Sequence, residues 1–557
     1  MRFIKAYILL FIIVTSTFVN AQTPSKWAED IDILTSKIER YHPMPWAKIS
    51  KEEFLSQASE LKNNLHKWSN EKIIVELMKL IALLEDGHSE VLLNYQEKLN
   101  LWFPLRIEKF YDGIFIIATD SVNKELLGSK VLKLGKYDAD SAYSLVSETV
   151  AKDSKYGSYR LATNYLPNAV ILKNLGINDG ENNLKLEVVS LNGDERKVIV
   201  NSDEWGMWNN WSWYKTNVPT KNKAVSIFDE KINSLPLYLT KIIPSRIPYW
   251  FEYLPKDKMI YFQFNDVTDW DKDPLDGFKK RLFDTVEENS STVEKFIIDL
   301  RFNEGGNGYL ISPFIREFIK REDLFNKIQI YIITGTHTFS AAPNLIAQML
   351  KNTNAITVGD ITAGPLNWCS DVLDFVLPHS QLKVNISTMY WQEGHPTDNR
   401  GYYPPDCYKP ATFKNFYECK DDILDAIKNN KVVSPKNILF NDGADKFLEI
   451  IADKEKLYGD IKEWFPYISF EMIMFAYFDL IPAQKVVDAV KVLKLNTTLY
   501  PNDVRSWYAL AEVYKELGMT QEAIQAFEKL ISMEPNSYEV NRDYNELLSK
   551  EISKQEK

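Results

Sequence analysis

Apolar and polar positions follow three different patterns along the chain, and each pattern predicts a different kind of element. In residues 27–90 the apolar side chains recur every three or four positions, which is typical of helices that bury one face. In residues 101–200 short apolar runs predict strands. From residue 247 onward, apolar runs without alternation precede helical patterns, as expected of parallel strands covered on both faces. The sequence therefore predicts a multidomain α/β protein.

Two successive strand-turn-helix units stand out in the last of these regions. Apolar strands are predicted at residues 296–300 and 328–334, and each ends in a turn that opens a helix. We call these turns the glycine loop (residues 303–308) and the serine turn (residues 335–340). Because loops at the carboxyl ends of neighbouring parallel strands lie at the same edge of a sheet, the two turns are predicted to form one site.

Both turns carry residue types that suit acyl chemistry. The glycine loop contains Gly305 and Gly306, which have no side chain to keep a substrate oxygen away from the backbone N–H groups. The serine turn ends in Ser340, where a serine is either a nucleophile or only a helix N-cap. Together the turns predict a nucleophile with an oxyanion hole, formed by the N–H groups of Gly305 or Gly306 and of Ala341.

Composition narrows the class of protein. The 557 residues predict three or four domains, and a hydrophobic content of 45% allows large cores. The net charge of -11 argues against a general nucleic-acid binder, which needs a basic surface. The three cysteines, Cys369, Cys407 and Cys419, are too few for a disulfide framework or a four-ligand zinc site. A single bridge such as Cys407 to Cys419 stays open, and no metal site is predicted.

The first 21 residues have the pattern of a secretory signal. Arg2 and Lys5 precede an apolar run at residues 6–14, and small residues follow before Gln22. The run is shorter than the roughly 20 residues that a membrane span needs, so no stable span is predicted after removal of the signal. The protein is therefore predicted to be exported to the periplasm or the extracellular space.

The motifs around the two turns resemble those of the C-terminal-processing and tricorn-core serine peptidases, including the branch similar to interphotoreceptor retinoid-binding protein. The family's Asp-Leu-Arg-x-Asn-x-Gly-Gly is matched at residues 299–306. Its Thr-Phe-Ser-Ala-Ala-Glu-Asn is matched at residues 338–344, with Pro343 in place of the glutamate. An upstream Asp-Gly-His is matched at residues 86–88. The resemblance extends over residues 28–408.

This resemblance implies a crotonase-like (Clp/crotonase) βα catalytic core and a serine peptidase activity without a cofactor. Ser340 is then the implied nucleophile. Residues 126–146 contain a glycine turn, a strand and a helix in the order found in a PDZ-like module. Such modules receive extended peptide ends by strand addition.

His88 is predicted to be the base that activates the serine. The C-terminal-processing branch uses a lysine after its Val-Gly-Glu strand, and the matching residues 362–367 contain none. The tricorn-like branch draws a histidine from the position of His88, and histidine has a suitable unperturbed pKa near 6.5. His395 is the alternative base, whereas His337 is expected to face away or to line the cleft.

A third catalytic group is expected in the polar and aromatic segment at residues 387–398, or shortly after it. Glu393 is the first candidate for the residue that orients the base, and Asp398 and Asp406 are the alternatives. A carboxylate is the expected residue type, because it holds an imidazole in the required tautomer.

The end of the chain contains a helical repeat. Residues 507–535 have the spacing of a tetratricopeptide unit, and a degenerate unit is predicted 34 residues earlier, with Ala489 equivalent to Ala523. The units are predicted either to pack on the body of the protein or to bind a protein partner. A tryptophan-rich segment at residues 204–214 is predicted to pack internally rather than to stack on a substrate.

These segments give a predicted domain order and a predicted function. The order is a signal peptide (1–21), an N-terminal helical region (22–98), a PDZ-like β-rich domain (99–203), a catalytic peptidase core (204–430) and a C-terminal helical domain with tetratricopeptide-like repeats (431–557). The predicted function is an exported serine peptidase that acts on a peptide or protein substrate. The alternatives are a catalytically inactive peptide-binding or scaffold protein, and acyl-CoA chemistry on the same fold, which export disfavours.

Overall fold

The computed structural model describes residues 23–92, 100–202, 222–243, 246–394, 396, 398–432, 438, 442–443, 445–447, 449 and 476–555. The predicted signal, the tryptophan-rich segment and His395 lie outside these residues. Within them the protein has the mixed α/β structure that the apolar patterns predict.

Three helices open the described chain, and each buries one face. Ser50 and Ser69 begin the second and third helices, because each side chain accepts a hydrogen bond from a backbone N–H in the first turn, at 3.1 and 3.3 Å. The third helix ends before the Asp86-Gly87-His88 turn, which leads into a short strand. The elements are α1 (Pro24–Tyr41), α2 (Lys51–Asn64), α3 (Asn70–Ala82) and β1 (Glu90–Val91).

A seven-stranded antiparallel sheet with three inserted helices follows. Its elements are β2 (Leu105–Phe110), β3 (Gly113–Asp120), β4 (Lys130–Leu134), β5 (Tyr137–Asp138), α4 (Ala139–Ser147), α5 (Ser158–Tyr165), α6 (Ala169–Asn174), β6 (Asn183–Val189), β7 (Glu195–Asn201) and β8 (Ala224–Ser226). The strand order is β2-β3-β4-β6-β7, with β5 paired to β4 and β8 paired to β3. Its buried side chains form one cluster with those of α1, α2 and α3, so helices and sheet share a hydrophobic core.

The predicted parallel strands form the centre of a six-stranded sheet. The elements of this region are β9 (Tyr249–Leu254), β10 (Met259–Phe264), α7 (Leu275–Glu288), β11 (Lys295–Asp299), α8 (Ile311–Ile319), α9 (Glu322–Phe325), β12 (Gln329–Thr334), α10 (Ala341–Asn352), β13 (Ile356–Gly359), β14 (Asn367–Ser370), β15 (Leu373–Val376), β16 (Lys383–Ile386), β17 (Met389–Gln392), β18 (Cys407–Tyr408), α11 (Phe413–Tyr417) and α12 (Asp422–Lys428). The sheet order is β18-β13-β12-β11-β10-β9, and only β9 is antiparallel to its neighbour. Side chains of its two faces belong to two separate buried clusters, as the continuous apolar runs predict.

Two smaller sheets join distant parts of the chain. β14 and β17 form an antiparallel ribbon in which Trp368 lies opposite Trp391. β1 pairs antiparallel with β16, and β16 also pairs with β15. Because β1 directly follows His88, its pairing with β16 ties the histidine to the segment that comes after the Ser340 helix.

The end of the chain is helical and has its own buried cluster. Its helices are α13 (Val486–Leu499), α14 (Val504–Glu516), α15 (Thr520–Met533) and α16 (Tyr538–Gln555). The pair α14 and α15 occupies the residues of the predicted tetratricopeptide unit.

Two sequence expectations concern the membrane and the cysteines. Within the described residues, no helix is long and apolar enough to cross a membrane. Cys369, Cys407 and Cys419 are free thiols, so the bridge that the sequence left open is not formed.

Candidate active site

Ser340 stands at the start of α10 with an unusual backbone. Its φ of +59° and ψ of -119° form a strained conformation, which costs about 1–3 kcal/mol and persists only where the surroundings fix it. The N–H of Phe339 donates to the carbonyl of Asn303 at 3.0 Å. The hydroxyl of Thr338 donates to the carbonyl of Leu300 at 2.8 Å. The Ser340 side chain caps no helical N–H, so the N-cap interpretation does not account for this serine.

The histidine turn (residues 86–88) packs closely on the serine turn. The N–H of Gly87 donates to Oδ1 of Asp153 at 3.2 Å. A Cβ at Gly87 would lie 2.5 Å from the Asp153 carboxylate and 2.8 Å from the Phe339 ring. The lack of a side chain at this position therefore lets the turn bring His88 up to the serine.

The imidazole of His88 and the hydroxyl of Ser340 lie within hydrogen-bond distance. His88 Nε2 is 3.1 Å from Ser340 Oγ. The ring is sandwiched between Phe339 and Trp368, with centroid distances of 4.6 and 4.9 Å and interplanar angles of 21° and 20°. Among the described residues, no carboxylate is hydrogen-bonded to Nδ1 of His88, and a backbone interaction with Cys369 favours the protonated ring. Aromatic packing on both sides holds the plane of the imidazole.

Burial lowers the pKa of His88 to about 4, because the protonated ring would lose its water. The Asp86 carboxylate and, less strongly, the Asp371 carboxylate act against this lowering of the pKa. The Arg160 guanidinium lowers the pKa further. At neutral pH the imidazole is therefore uncharged, and Nε2 is able to accept a proton.

Asp86 supports the histidine turn rather than the imidazole. Its Oδ2 accepts a hydrogen bond from the Ser89 hydroxyl at 2.5 Å and lies 3.1 Å from Nε2 of His42. Its Oδ1 accepts the backbone N–H of His88 at 3.1 Å. Burial raises the pKa of Asp86, but the hydrogen bond with His42 and the neighbouring imidazoles outweigh burial and leave that pKa below its usual value. Asp86 is therefore an anion that fixes the backbone of the turn.

The carboxylates predicted as a third group do not reach the imidazole. Each contacts another side chain instead. Glu393 contacts Gln348, Asp398 contacts Arg400, and Asp406 contacts Thr357. The alternative base, His395, lies outside the described residues. In the part of the chain that the structure describes, His88 is the histidine brought to Ser340.

The glycine loop packs directly against Ser340. A Cβ at Gly305, whose φ is +103°, would lie 2.4 Å from the Cβ of Ser340, so only glycine fits there. The N–H of Gly305 already donates to the side-chain oxygen of Asn303 at 2.8 Å. The N–H groups of Gly306 and Ala341 have no acceptor among the described residues. Of the predicted oxyanion-hole donors, these two are available to a substrate.

Gly306→Ala is expected to destabilise the protein. At Gly306, φ is +133° and a Cβ would lie 2.2 Å from the carbonyl oxygen of Val267. We expect the free energy of unfolding to fall by about 2 kcal/mol or more, measured by urea denaturation. Gly308→Ala is the matched control, because the nearest atom to its added Cβ is 3.6 Å away. Equal stability of the two variants would contradict the strain at Gly306.

An ion network, buried at His337 and Glu108 and exposed at Glu304, connects both turns with the neighbouring sheet. His337 Nδ1 lies 3.2 Å from Oε1 of Glu304, and His337 Nε2 lies 3.7 Å from Oε1 of Glu108 on β2. Burial lowers the pKa of His337, but the Glu108 and Glu304 carboxylates outweigh it and raise that pKa to about 9. His337, which the sequence expects to face away or to line the cleft, therefore bridges the glycine loop and β2 as a cation.

A cavity of about 530 Å³ lies beside this network. Its lining includes Arg301, His337 and Asp360 but neither Ser340 nor His88, and it contains no serine or cysteine. Within the described residues, no cluster of His, Cys, Asp and Glu could hold a metal ion. The cavity is therefore separate from the contact of Ser340 with His88.

Two residues beside the reacting pair were not predicted from the sequence. Trp368 stacks on the imidazole, and the Arg160 guanidinium lies 4.1 Å from the centre of the Phe339 ring. The nearest sequence signal for Trp368 is the stretch at residues 362–367, which matches the segment after the family's Val-Gly-Glu strand and ends one residue before this tryptophan. Arg160 lies in a short helix that carries no motif.

Solved structures share the fold over about three quarters of the chain. Mature CPAF complexed with lactacystin has a TM-score of 0.53 at 13% identity, over 73% of this chain and 98% of that chain. Mature CPAF has a TM-score of 0.50 at 12% identity, over 74% of this chain and 99% of that chain. About three quarters of the chain is similar in fold to CPAF. The photosystem II D1 C-terminal processing protease is also a neighbour, with a TM-score of 0.34 at 10% identity over 69% of this chain and 93% of that chain.

The similarity in fold to CPAF is consistent with the family that the sequence motifs resemble. The family model of the tetratricopeptide repeat matches residues 504–537, which confirms the predicted unit formed by α14 and α15. No curated protein sequence matches the chain.

Proposed function

We propose that this protein is an exported serine peptidase that cleaves peptide or protein substrates. The contact that carries the proposal is the 3.1 Å between His88 Nε2 and Ser340 Oγ. Two backbone N–H groups that have no acceptor within the described part of the chain, at Gly306 and Ala341, lie in the loop and the helix start that border this contact. The similarity in fold to CPAF and the motifs that resemble those of serine peptidases support a hydrolase of this kind, and the apolar pattern of residues 1–21 supports export.

The chain's own residues are sufficient for acyl transfer. His88 takes the proton of the Ser340 hydroxyl as Oγ attacks the carbonyl of the scissile bond. The N–H groups of Gly306 and Ala341 donate to the oxyanion of the tetrahedral intermediate. His88 then gives its proton to the departing amine, which leaves an acyl ester on Ser340. A water molecule deprotonated by His88 hydrolyses the ester and restores the serine.

A fluorophosphonate probe, which reacts with activated serine hydroxyls, tests this function. We expect the folded protein to be labelled and mass spectrometry of its peptides to find the adduct on Ser340. The urea-unfolded protein is the matched control, because it has the same serines without the His88 contact, and it should not be labelled. No labelling of the folded protein, or an adduct on another serine, would refute the proposal.

The low pKa of His88 sets the expected acid limit of the activity. The imidazole acts as a base only when it is unprotonated, so kcat/KM should be constant above about pH 5 and fall to half near pH 4. An ordinary exposed histidine would lose half of the activity near pH 6.5. The rate of probe labelling between about pH 3.5 and 8 measures this limit, with intrinsic fluorescence to show that the protein stays folded. A labelling rate that falls to half of its maximum between pH 6 and 7 would contradict the buried, uncharged base.

The alternative is a catalytically inactive peptide-binding or scaffold protein. One observation favours it, since His88 Nδ1 has no carboxylate partner among the described residues, and serine hydrolases use such a partner to orient the base. An inactive protein would bind peptides but would show neither probe labelling nor turnover. The same labelling experiment therefore separates the two functions.

We also propose an assignment of the regions of the chain. Residues 22–98 form the N-terminal helical region, residues 99–203 a PDZ-like domain and residues 204–430 a crotonase-like core. Residues 431–557 form the helical tail, in which the tetratricopeptide repeat supports contact with a protein partner.

A further inference from the structure

An aromatic row runs from the reacting pair to the protein surface. It consists of Trp368, Trp391 and Tyr309. Trp368 stacks on His88, and its ring centre lies 6.0 Å from that of Trp391 with an interplanar angle of 13°. Trp391 in turn meets Tyr309 edge to face at 5.6 Å. Tyr309 is 68% exposed, so the row passes from the buried imidazole into solvent.

The two indoles of the row are held at their polar edges. Trp368 Nε1 donates to the side-chain oxygen of Asn344 at 2.8 Å, and Trp391 Nε1 donates to the Asp371 carboxylate at 2.6 Å. The two tryptophans are directly opposite each other in the β14–β17 ribbon, which puts them on one face of it. Because their N–H groups are satisfied, the rings present fixed apolar surface rather than a polar site.

The row borders the path of any substrate bound at Ser340. A Cβ at Gly308 would lie 3.9 Å from the Trp391 ring, so this ring lies beside the glycine loop. The ring centres of His88 and Trp368 are 4.9 Å apart, and those of Trp368 and Trp391 are 6.0 Å apart. An extended peptide crosses that span in about three residues. A substrate side chain within about three residues of the scissile bond can therefore reach Trp391 and Tyr309.

We infer that the aromatic row is a substrate subsite for a large aromatic or aliphatic side chain close to the scissile bond. This inference rests on the proposed peptidase function and names its substrate class. A phenyl or indole ring placed against Tyr309 and Trp391 would make the tilted or offset ring contacts that aromatic pairs prefer, and a leucine would bury the same surface. Met389, 44% exposed and two residues before Trp391 on β17, continues the apolar face of the ribbon. An acidic side chain would lose water there and would meet the Asp371 carboxylate, which accepts the Trp391 N–H.

The cleavage pattern on a proteome-derived peptide library tests the subsite. We expect the full-length protein to cut sites that are enriched about tenfold for Phe, Tyr, Trp or Leu at one position within three residues of the cut. In Tyr309→Ala and Trp391→Ala this enrichment should fall by about fivefold or more. Tyr41→Ala is the matched control, because Tyr41 is an exposed tyrosine at the end of α1, and it should keep the wild-type pattern. Absence of the enrichment in the wild type, or its persistence in both row variants, would overturn the subsite.

A binding measurement decides the subsite without turnover. Immobilised Ser340→Ala protein should retain library peptides that contain Phe, Tyr, Trp or Leu, and the Ser340→Ala Tyr309→Ala double variant should lose this retention. If the single variant retains no such peptides, or the double variant retains them equally, the subsite is wrong. A protein that retains them but cuts nothing keeps the subsite and refutes the peptidase function, so the two failures are distinguishable.

Discussion

Ser340→Ala is expected to abolish fluorophosphonate labelling and to lower kcat by on the order of 10⁴- to 10⁶-fold. Alanine lacks the Oγ that His88 Nε2 contacts at 3.1 Å, so no acyl-enzyme is formed. The Ser340 side chain caps no helical N–H, and alanine keeps the same Cβ. The free energy of unfolding should therefore stay within about 1 kcal/mol of the wild-type value, measured by urea denaturation.

Ser69→Ala is the matched control for this substitution. Ser69 also precedes a helix, but its side chain does cap, by accepting the N–H of Lys72 at 3.3 Å. Its loss should cost about 1 kcal/mol of stability and leave labelling unchanged, the opposite of the result at Ser340. Wild-type labelling of Ser340→Ala would remove this serine from the mechanism.

His88→Ala is expected to lower kcat/KM by on the order of 10⁴-fold, because the hydroxyl then has no base within reach. The substitution opens a slot between the rings of Phe339 and Trp368, which stack on the two sides of the imidazole. Imidazole added to the solution should enter the slot and restore part of the labelling rate. Rescue that grows with imidazole concentration would show that the missing ring, and not a distorted fold, limits the variant.

The control for the histidine is His379→Ala. His379 lies 2.7 Å from Glu29 at the protein surface and makes no contact with the serine turn. Its loss should leave activity unchanged, with or without imidazole. Full probe labelling of His88→Ala would show that the serine is activated by another group.

Local sequence patterns predicted the central sheet well because buried parallel strands are apolar on both faces along most of their length. The strand predicted at residues 296–300 is observed at Lys295–Asp299, and the strand predicted at residues 328–334 is observed at Gln329–Thr334. The approach of His88 to Ser340 does not follow from periodicity. It was expected from the family motif together with the lack of a lysine in residues 362–367.

The surroundings of the imidazole could not be predicted, because they depend on contacts between distant segments. Trp368 reaches His88 only through the ribbon of β14 and β17, and single strands of four residues carry no signal of their partner. The candidate Glu393 illustrates the same limit, since its carboxylate contacts Gln348 on the helix that begins after Ser340. The shared core of α1 to α3 with the seven-stranded sheet is likewise a long-range packing result that helical spacing does not reveal.

The separation of the reacting pair along the chain has a consequence for biosynthesis. His88 and Ser340 are 252 residues apart, and β1, which follows His88, is anchored by pairing with β16, which comes after Ser340. A ribosome therefore completes the serine turn before it has made the strand that docks the histidine. Until β16 has emerged, the pairing that anchors the segment after His88 is missing. In the proposed peptidase, the contact between His88 and Ser340 would then be completed only after most of the chain has been synthesised.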